Sequence, residues 1–292
     1  MTDQPWTIGR LLAWTKDHFA AKGVDSPRVD AEILLAHALG CARIALYTRT
    51  AELPADEQRA AFKELVQKRL KGTPVSRLLG RREFFSLDLE VTPDVLVPRP
   101  DTEWLVTECL ALAKPMESPR LLDLGTGSGC VALALAKQHK TAQVVAVDLS
   151  AAALAVARRN AEKHGVEGRI EFLQGDLFAP LPPEPRFGFI VSNPPYVPSA
   201  GIEGLSPEVR DHDPRLALDG GPDGFAVIDR ILAGAGAFLE EGGWLLCEIG
   251  HDQAAEARRR FAAAGWIIEK EAKDGSGHVR VLAARRGLTM PS

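Results

Sequence analysis

The feature that most constrains this fold is a series of short apolar runs without polar alternation. Residues 144–147 read Val-Val-Ala-Val, and residues 120–124 and 187–192 are also largely apolar. A strand covered by helices on both faces has this pattern, whereas a half-exposed strand alternates. Amphipathic helical patterns separate the runs from residue 101 onward. This order predicts a doubly wound α/β sheet with right-handed crossovers.

The final part of the chain departs from that order. Strand patterns at residues 244–249 and 266–270 flank a helical pattern at 253–264. A last strand pattern at 278–283 follows the turn sequence Asp-Gly-Ser-Gly, so the last two strands are expected to form a hairpin. We therefore expect at least one antiparallel strand at the edge of the sheet.

The first 75 residues differ from the rest, because their apolar residues recur at the spacings of three and four that amphipathic helices require. Residues 83–91 then end in strict alternation, residues 92–94 (Thr-Pro-Asp) break it, and residues 95–97 are apolar again. That pattern predicts a β-hairpin. We predict a helical domain at 1–75, a β-hairpin linker at 76–100 and an α/β domain at 101–292.

Composition narrows the class of protein. The chain has 292 residues, of which 46% are hydrophobic and 25% are charged, typical of a folded chain with room for two domains. No apolar run approaches the ~18 residues of a membrane helix, and the first residues do not resemble a secretion signal. The four cysteines and seven histidines lack metal-ligand spacing. We therefore expect a cytoplasmic protein without a metal site or membrane partner.

The distribution of charge bears on the partner. Residues 1–75 carry 11 Lys and Arg against 9 Asp and Glu, and the remainder carries 24 against 30. A protein held on nucleic acid by its electrostatic field is usually basic. The charges therefore predict no direct nucleic-acid binding.

A glycine-rich loop gives the first chemical signal. Residues 123–129 read Asp-Leu-Gly-Thr-Gly-Ser-Gly, directly after a predicted strand and directly before a predicted helix. Glycines at alternate positions let the backbone turn sharply and let a flat ligand approach it. The third glycine follows the second by two residues rather than three, so the loop is not the dinucleotide fingerprint. A dinucleotide enzyme, or a turn that binds no ligand, remains an alternative for this loop alone.

Acidic residues after the next two strands strengthen the ligand interpretation. Asp148 ends the strand at 143–148, 19 residues after Gly129, where a carboxylate can accept both hydroxyl hydrogens of a ribose. The alternative is a solvated aspartate in a strand–helix loop that Ser150 caps. Asp176 follows the next strand, at the expected position of an adenine edge, with Leu177 beside it as an apolar wall. Together these residues favour an adenosine-type ligand.

The sequence Asn-Pro-Pro-Tyr at residues 193–196 indicates the chemistry. Its two prolines stiffen the backbone and remove two N–H donors. The Asn193 side-chain oxygen and the Pro194 carbonyl can then accept both hydrogens of a planar NH₂ group, on which Tyr196 can stack. That nitrogen is a weak nucleophile, so aligning it against an electrophile carries much of the catalysis. The implied electrophile is the methyl group of S-adenosyl-L-methionine; a proline-rich turn alone remains the alternative.

These motifs resemble those of class I S-adenosyl-L-methionine-dependent methyltransferases that act on amide or exocyclic nitrogen, which have a Rossmann-like sheet. The resemblance is closer to the release factor glutamine N5-methyltransferases, in which a β-hairpin joins a helical domain to the methyltransferase domain. Three further stretches match that family, at residues 72–84, 97–103 and 214–221, so the resemblance covers essentially the whole chain. The Asn-Pro-Pro-Tyr motif is shared with DNA adenine methyltransferases, whereas the Pro-Arg-Pro-Asp-Thr-Glu stretch is more specific.

The resemblance implies roles for individual residues. The cofactor-binding residues would be Gly125, Thr126, Gly127, Ser128, Gly129, Asp148, Leu177 and Asn193. The substrate glutamine amide would be held by Asn193, Pro194, Pro195 and Tyr196, with Asn193 and Tyr196 as the catalytic residues. The family often has tryptophan where this chain has Leu177, and leucine can pack against adenine but cannot stack on it.

The resemblance also implies a substrate, the glutamine of the Gly-Gly-Gln motif in peptide chain release factors, whose methylation modulates translation termination. Residues 1–75 would then dock the release factor, or would only stabilise the catalytic domain. Three other functions stay open: a ribosomal-protein glutamine methyltransferase, a DNA or RNA amino-methyltransferase, and a non-enzymatic adaptor that only binds the release factor.

Overall fold

A computed structural model describes residues 5–287. Contacts within the chain divide it into two compact units, Met1–Gly80 and Arg81–Ser292. The first unit is helical in its described part, with helices α1 (Ile8–Ala21), α2 (Pro27–Leu39), α3 (Ala45–Thr48), α4 (Asp56–Leu70) and α5 (Val75–Leu79). None of the helices in the described residues is long and apolar enough to cross a membrane.

The core of the helical unit lies among α1, α2 and α4. Phe19, Leu34 and Leu35 are fully buried there. A buried ion pair joins α2 to α4, since the Arg69 guanidinium lies 2.7 Å from the Asp30 carboxylate. Gly40 ends α2 with a φ of +63°, a left-handed conformation that glycine adopts without strain.

The second unit contains nine strands and six helices within residues 81–287, together with short 3₁₀ turns. The strands are β1 (Arg81–Phe84), β2 (Leu87–Glu90), β3 (Arg120–Leu124), β4 (Gln143–Asp148), β5 (Ile170–Gln174), β6 (Phe187–Ser192), β7 (Leu239–Glu248), β8 (Trp266–Lys273) and β9 (Val279–Arg286). The helices are α6 (Glu103–Ala113), α7 (Cys130–Gln138), α8 (Ala151–His164), α9 (Pro207–Arg210), α10 (Ala226–Phe238) and α11 (Ala254–Ala263).

Seven of these strands form one sheet in the order β5-β4-β3-β6-β7-β9-β8. The first five strands of that order pair in parallel, and helices α6, α7 and α8 cover one face while α10 and α11 cover the other. This arrangement confirms the predicted doubly wound fold. Strand β9 runs antiparallel to both of its neighbours, so the expected antiparallel pairing occurs at the β8 edge.

The β-hairpin before the sheet forms, but its turn lies elsewhere than the sequence pattern indicated. Strand β1 pairs antiparallel with β2 through a turn at Phe85 and Ser86, and residues 95–97 form no strand. Both turn residues have positive φ, +49° and +62°. Such turns are normally marked by Asn or Gly. The break at residues 92–94 was therefore wrongly interpreted as the hairpin turn, because the true turn carries no such marker.

One buried side chain joins this hairpin to the sheet. The Asn160 side chain of α8 is fully buried, and its Oδ1 accepts the Glu90 backbone N–H at 2.7 Å. Its Nδ2 donates to the carbonyls of Glu90 at 3.1 Å and Ser128 at 3.0 Å. The carboxamide therefore pairs with the end of β2 much as a neighbouring strand would. It also ties β2 to the glycine-rich loop.

We predict that Asn160→Ala lowers the free energy of unfolding by about 3 kcal/mol or more, because three buried backbone groups lose their partner. Arg159→Ala is the matched control, since its exposed pair with Glu90 should contribute less than ~1 kcal/mol. Urea denaturation followed by circular dichroism measures both. Equal losses for the two variants would contradict the assigned role of Asn160.

Candidate active site

The predicted site residues converge where the parallel strands end. Leu124 of β3 pairs in register with Val147 of β4 and with Ser192 of β6, so the loops that follow start side by side. They surround a cavity of about 230 Å³. Of the predicted residues, this cavity is lined by Gly125, Gly127, Asp148, Leu177, Asn193, Pro194 and Pro195.

The remaining predicted residues lie around that cavity. Thr126 and Ser128 line an adjoining cavity of about 40 Å³, together with Arg99 and Thr102. Gly129 and Tyr196 line neither cavity. The assignment of Thr126, Ser128 and Gly129 to the cofactor, and of Tyr196 to catalysis by stacking on the amide, stays a prediction.

Backbone geometry explains the glycines of the loop. Gly125 and Gly127 have φ of +75° and +56°, and a Cβ at either position would meet no atom within 4 Å. The open space on the cavity side is therefore available to a ligand that lies against the backbone. Gly129 differs, since a Cβ there would lie 2.6 Å from Leu133 and 3.1 Å from Ala157. That glycine allows α7 to start close to α8.

The buried Asp123 carboxylate holds the glycine-rich loop through hydrogen bonds. The Asp123 carboxylate accepts the Thr126 hydroxyl at 2.7 Å and the Ala132 N–H at 3.2 Å. Its burial raises the pKa of Asp123 to about 7, although these hydrogen bonds act in the opposite direction. The Thr126 side chain is accordingly directed into the protein.

Asp148 lies between the glycine-rich loop and α8. Its Oδ2 accepts the Gly127 N–H and its Oδ1 accepts the Ser150 N–H, both at 2.8 Å. Each carboxylate oxygen can accept a second hydrogen bond, so both retain capacity for ligand hydroxyls. Burial raises the pKa of Asp148 above its usual value. The carboxylate is held in a fixed orientation at the cavity wall.

Leu177 forms the opposite wall in an unusual conformation. Its φ is +50°, which is uncommon for a residue with a Cβ and stores strain of about 1–3 kcal/mol. Asp176 beside it lines the cavity and forms an ion pair with Arg230 at 2.7 Å. The strained turn thus presents to the cavity the apolar Leu177 side chain and an Asp176 carboxylate that is paired with an arginine.

The segment 193–196 is held rigidly by its neighbours. The Asn193 Nδ2 donates to the Thr102 hydroxyl at 3.0 Å, and Oδ1 accepts no hydrogen bond from residues 5–287. The Gln253 side-chain amide donates to the Tyr196 carbonyl at 2.9 Å. A Cβ at Gly220 would lie 2.7 Å from the Pro195 carbonyl oxygen, and one at Gly224 would lie 2.4 Å from the Tyr196 carbonyl oxygen. Both glycines therefore pack directly against this backbone.

The Tyr196 side chain enters a polar cluster behind the cavity. Its hydroxyl lies 3.5 Å from Glu248 Oε1 and 3.3 Å from Arg280 Nη2. Arg280 also lies 3.4 Å from the Asp101 carboxylate and 3.7 Å from that of Glu248. Burial, followed by the nearby charge of Glu248, raises the pKa of Tyr196 to about 12, so its phenol stays protonated at neutral pH.

Glu248 is the most deeply buried acid of this cluster. Its side chain is fully buried at the end of β7, and its Oε2 has no hydrogen-bond partner within residues 5–287. Burial raises the pKa of Glu248 to about 7, while the Thr102 hydroxyl and then the Arg280 charge oppose the rise. An ionised carboxylate in this position is costly unless it is paired and hydrogen-bonded.

The sequence interpretation did not single out Thr102, Glu248 or Arg280 as functional residues. Two signals could have revealed the charged pair, since Glu248 and Arg280 each interrupt an apolar strand pattern. Charged residues are rarely buried unless paired. Thr102 lies in the Pro-Arg-Pro-Asp-Thr-Glu stretch, but that stretch alone assigns it no role, because its contact with Asn193 spans 91 positions.

Comparison with known proteins provides a separate line of evidence about the family of this chain. Residues 10–80 match the family model described as PrmC N-terminal domain, and residues 102–204 match the one described as methyltransferase small domain. A release factor glutamine methyltransferase from Rhodopirellula baltica is 45% identical, with 97% of this chain and 98% of that protein covered. One from Geobacter sulfurreducens is also 45% identical, with 98% and 100% covered. The crystal structure of a methyltransferase from Pyrococcus furiosus, 21% identical, has a TM-score of 0.51 over 76% of this chain and 98% of that one.

We predict that Gly224→Ala lowers the free energy of unfolding by about 1–3 kcal/mol more than Gly242→Ala. Both glycines have positive φ, +82° and +72°, so both variants incur the ~1–2 kcal/mol of a left-handed alanine. Only at position 224 does the new Cβ meet the Tyr196 carbonyl, since a Cβ at Gly242 meets no atom within 4 Å. Differential scanning calorimetry compares the two. Equal destabilisation would show that the contact at Gly224 is unimportant.

Proposed function

The chain belongs to the family of release factor glutamine methyltransferases, and from this premise we propose how its residues perform the reaction. The enzyme transfers a methyl group from S-adenosyl-L-methionine to a glutamine side-chain nitrogen of peptide chain release factors. We assign the substrate amide to residues 193–196 and the cofactor to the cavity beside them. The observation that carries this assignment is the free Asn193 Oδ1 next to the open backbone of Gly125 and Gly127.

The residues around the cavity fit the cofactor. Gly125 and Gly127 offer backbone that no side chain covers, which suits the flat and extended parts of the molecule. Asp148 retains acceptor capacity for two ribose hydroxyls, and Leu177 provides an apolar surface for adenine. When bound, S-adenosyl-L-methionine supplies a methyl group already activated by its sulfonium.

The chain's own residues then hold the nucleophile. Asn193 Oδ1 and the Pro194 carbonyl accept the two hydrogens of the glutamine amide, while neither Pro194 nor Pro195 offers a competing N–H. Accepting both hydrogens draws electron density toward the amide nitrogen and fixes its direction. Alignment of this kind supplies much of the rate, because an amide nitrogen is weakly nucleophilic. Tyr196 supports the segment through its carbonyl and its hydroxyl.

The partner we propose is a protein, specifically the Gly-Gly-Gln motif of release factors, rather than nucleic acid. The net charge of −4 and the near balance within residues 1–75 support this choice, because nucleic-acid-binding surfaces are strongly basic. Because the substrate is a translation factor, we also propose a cytoplasmic location.

We further propose that the helical unit docks the release factor. It contains a cavity of about 590 Å³ bordered by Trp6, Trp14 and Phe62, with Arg59 and Lys63 at its rim. Trp14 is 47% exposed, and Ile44 and Leu53 of the same unit are more exposed still. Apolar side chains grouped at one surface cavity, as Trp6 and Trp14 are here with ring centroids 6.1 Å apart, are characteristic of interaction surfaces.

We predict that Asn193→Ala reduces methyl transfer to release factor by at least 100-fold while cofactor affinity changes less than about threefold, because Asn193 aligns the amide. Transfer is measured with radiolabelled cofactor, and affinity by calorimetry. A release factor whose Gly-Gly-Gln glutamine is replaced by alanine is the substrate control. Label on nucleic acid or ribosomal proteins but not on release factor would overturn the proposed substrate.

We predict that Trp14→Ala raises the KM for intact release factor about tenfold without changing kcat, as expected when an exposed aromatic contact is lost. Ile267→Ala is the matched control, because Ile267 is 57% exposed on β8 in the other unit. Steady-state kinetics distinguish the two variants. An unchanged KM in Trp14→Ala would indicate that this part of the helical unit does not dock the substrate.

A further inference from the structure

Three polar side chains form a line behind the Asn-Pro-Pro-Tyr segment. Asn193 donates through Nδ2 to the Thr102 hydroxyl at 3.0 Å. Arg280 lies 3.4 Å from the carboxylate of the adjacent Asp101 and 3.7 Å from that of Glu248, and the Thr102 hydroxyl lowers the pKa of Glu248. Thr102 is 1% exposed and Glu248 is fully buried, so water does not compete for these contacts. The line begins in the sheet core and ends at the amide-binding residue.

The donor and acceptor capacities of these groups determine in which direction the hydrogen bonds run along this line. A carboxylate can only accept hydrogen bonds, whereas a hydroxyl has one hydrogen and two lone pairs. When the Thr102 hydrogen points to Glu248, the hydroxyl can only accept from Asn193. The Asn193 amide must then turn its NH₂ toward Thr102 and its Oδ1 away from it.

Without this direction, two orientations of Asn193 would compete. The rotated amide would place NH₂ where the substrate NH₂ must bind, so two donors would face each other. A buried polar group without a partner costs about 1–3 kcal/mol, and two opposed donors add repulsion. A reversal would therefore weaken the contact that aligns the nucleophile.

We infer that Glu248 and Thr102 are positioning residues that fix the Asn193 carboxamide with Oδ1 facing the substrate amide. The inference rests on the proposed role of residues 193–196 in holding glutamine. Glu248 touches neither cavity, so it acts through Thr102 rather than on the substrate. This role accounts for an acid whose second oxygen has no partner in the described residues.

The burial of Glu248 argues against a purely structural role. A buried ion pair such as that of Glu248 with Arg280 at 3.7 Å adds little net stability, since replacing both partners with apolar residues is often neutral or stabilising. If Glu248 served only the fold, its removal would change stability rather than kcat. The two roles therefore predict different measurements.

The first test compares Thr102→Val with Thr102→Ser in methyl transfer to release factor. Valine keeps the shape but removes the hydroxyl, so kcat should fall about 30- to 100-fold, with the KM for S-adenosyl-L-methionine within about twofold. Serine restores the hydroxyl, so its kcat should stay within about threefold of the wild type. Wild-type kcat in Thr102→Val, or equal losses in both variants, would overturn the inference.

The second test uses Glu248→Gln, because glutamine can donate to Thr102 and so reverse the direction of the line. We expect kcat to fall at least tenfold at a temperature well below the thermal midpoint of the variant, where loss of folded protein does not contribute. Cys247→Ala is the matched control, since Cys247 is buried at the preceding position of β7 and packs in the core cluster on the α10 side of the sheet. An unchanged kcat in Glu248→Gln would overturn the inference.

A pH profile provides a readout that a structural role would not change. The charged and titratable groups around Glu248 are Asp101, Tyr196, Arg280 and the buried thiols of Cys130 and Cys247, whose pKa values are raised by burial, so both thiols stay neutral. Since the ionised form directs Thr102, wild-type kcat should rise with pH through the Glu248 ionisation, near its pKa of about 7. This rise should be missing in Thr102→Val and Glu248→Gln, and its persistence in both would overturn the inference.

The outcomes separate this inference from the proposed function. A wild-type enzyme that labels release factor, together with variants of unchanged kcat, would refute the positioning role and leave the proposed function intact. A wild-type enzyme that does not label release factor would overturn the proposed function and this inference with it.

Discussion

The structure depends on one constraint, the in-register pairing of parallel strands. Because Leu124, Val147 and Ser192 are paired neighbours, the loops after β3, β4 and β6 begin at the same edge of the sheet. Two hydrogen bonds then join the loop after β3 to the end of β4, from Gly125 and Thr126 to the Val147 carbonyl. Every group assigned to the cofactor or the amide starts from this edge. Displacing one strand would therefore separate the two halves of the site.

The sequence was most informative where one physical cause dominates. Uninterrupted apolar runs arise from burial on both faces of a sheet, so the doubly wound sheet was predictable. The positions of the site loops were predictable as well, because each loop begins where a predicted strand ends. The turn at Phe85 and Ser86 was not predictable, because tertiary contacts hold two ordinary residues at positive φ. One such contact is the hydrogen bond from the Phe85 N–H to the Glu103 carboxylate at 2.9 Å.

The polar support of the site was hidden for a related reason. Thr102, Glu248 and Arg280 come from a 3₁₀ turn, β7 and β9, and only the folded sheet brings them to Tyr196 and Asn193. Sequence motifs record groups that contact a ligand through one short segment. They do not show which residues from distant positions contact that segment, even for Thr102, which lies in the Pro-Arg-Pro-Asp-Thr-Glu stretch.

Burial of acids at the site lowers the stability of the folded state by an amount that changes with pH. The pKa values of Asp123, Asp148 and Glu248 are all raised, mainly by burial. In the folded state these carboxyls bind protons more tightly than in the unfolded chain, so their contribution to stability declines as pH rises from the normal carboxyl range toward 7. The remainder of the fold must offset this loss at neutral pH.

The position of β9 has a consequence for synthesis. Residues 279–286 insert between β7 and β8, and they carry the arginine that lies close to both Tyr196 and Glu248. On a ribosome, the glycine-rich loop and Asn-Pro-Pro-Tyr segment emerge long before this strand exists. Until β9 is made, the edge of β7 that pairs with β9 has no neighbouring strand, and the buried Glu248 carboxylate lacks the nearby Arg280 cation. The nascent protein therefore cannot complete its active site before its final sheet strand is made, and chains that stop earlier carry the motifs without the complete polar cluster.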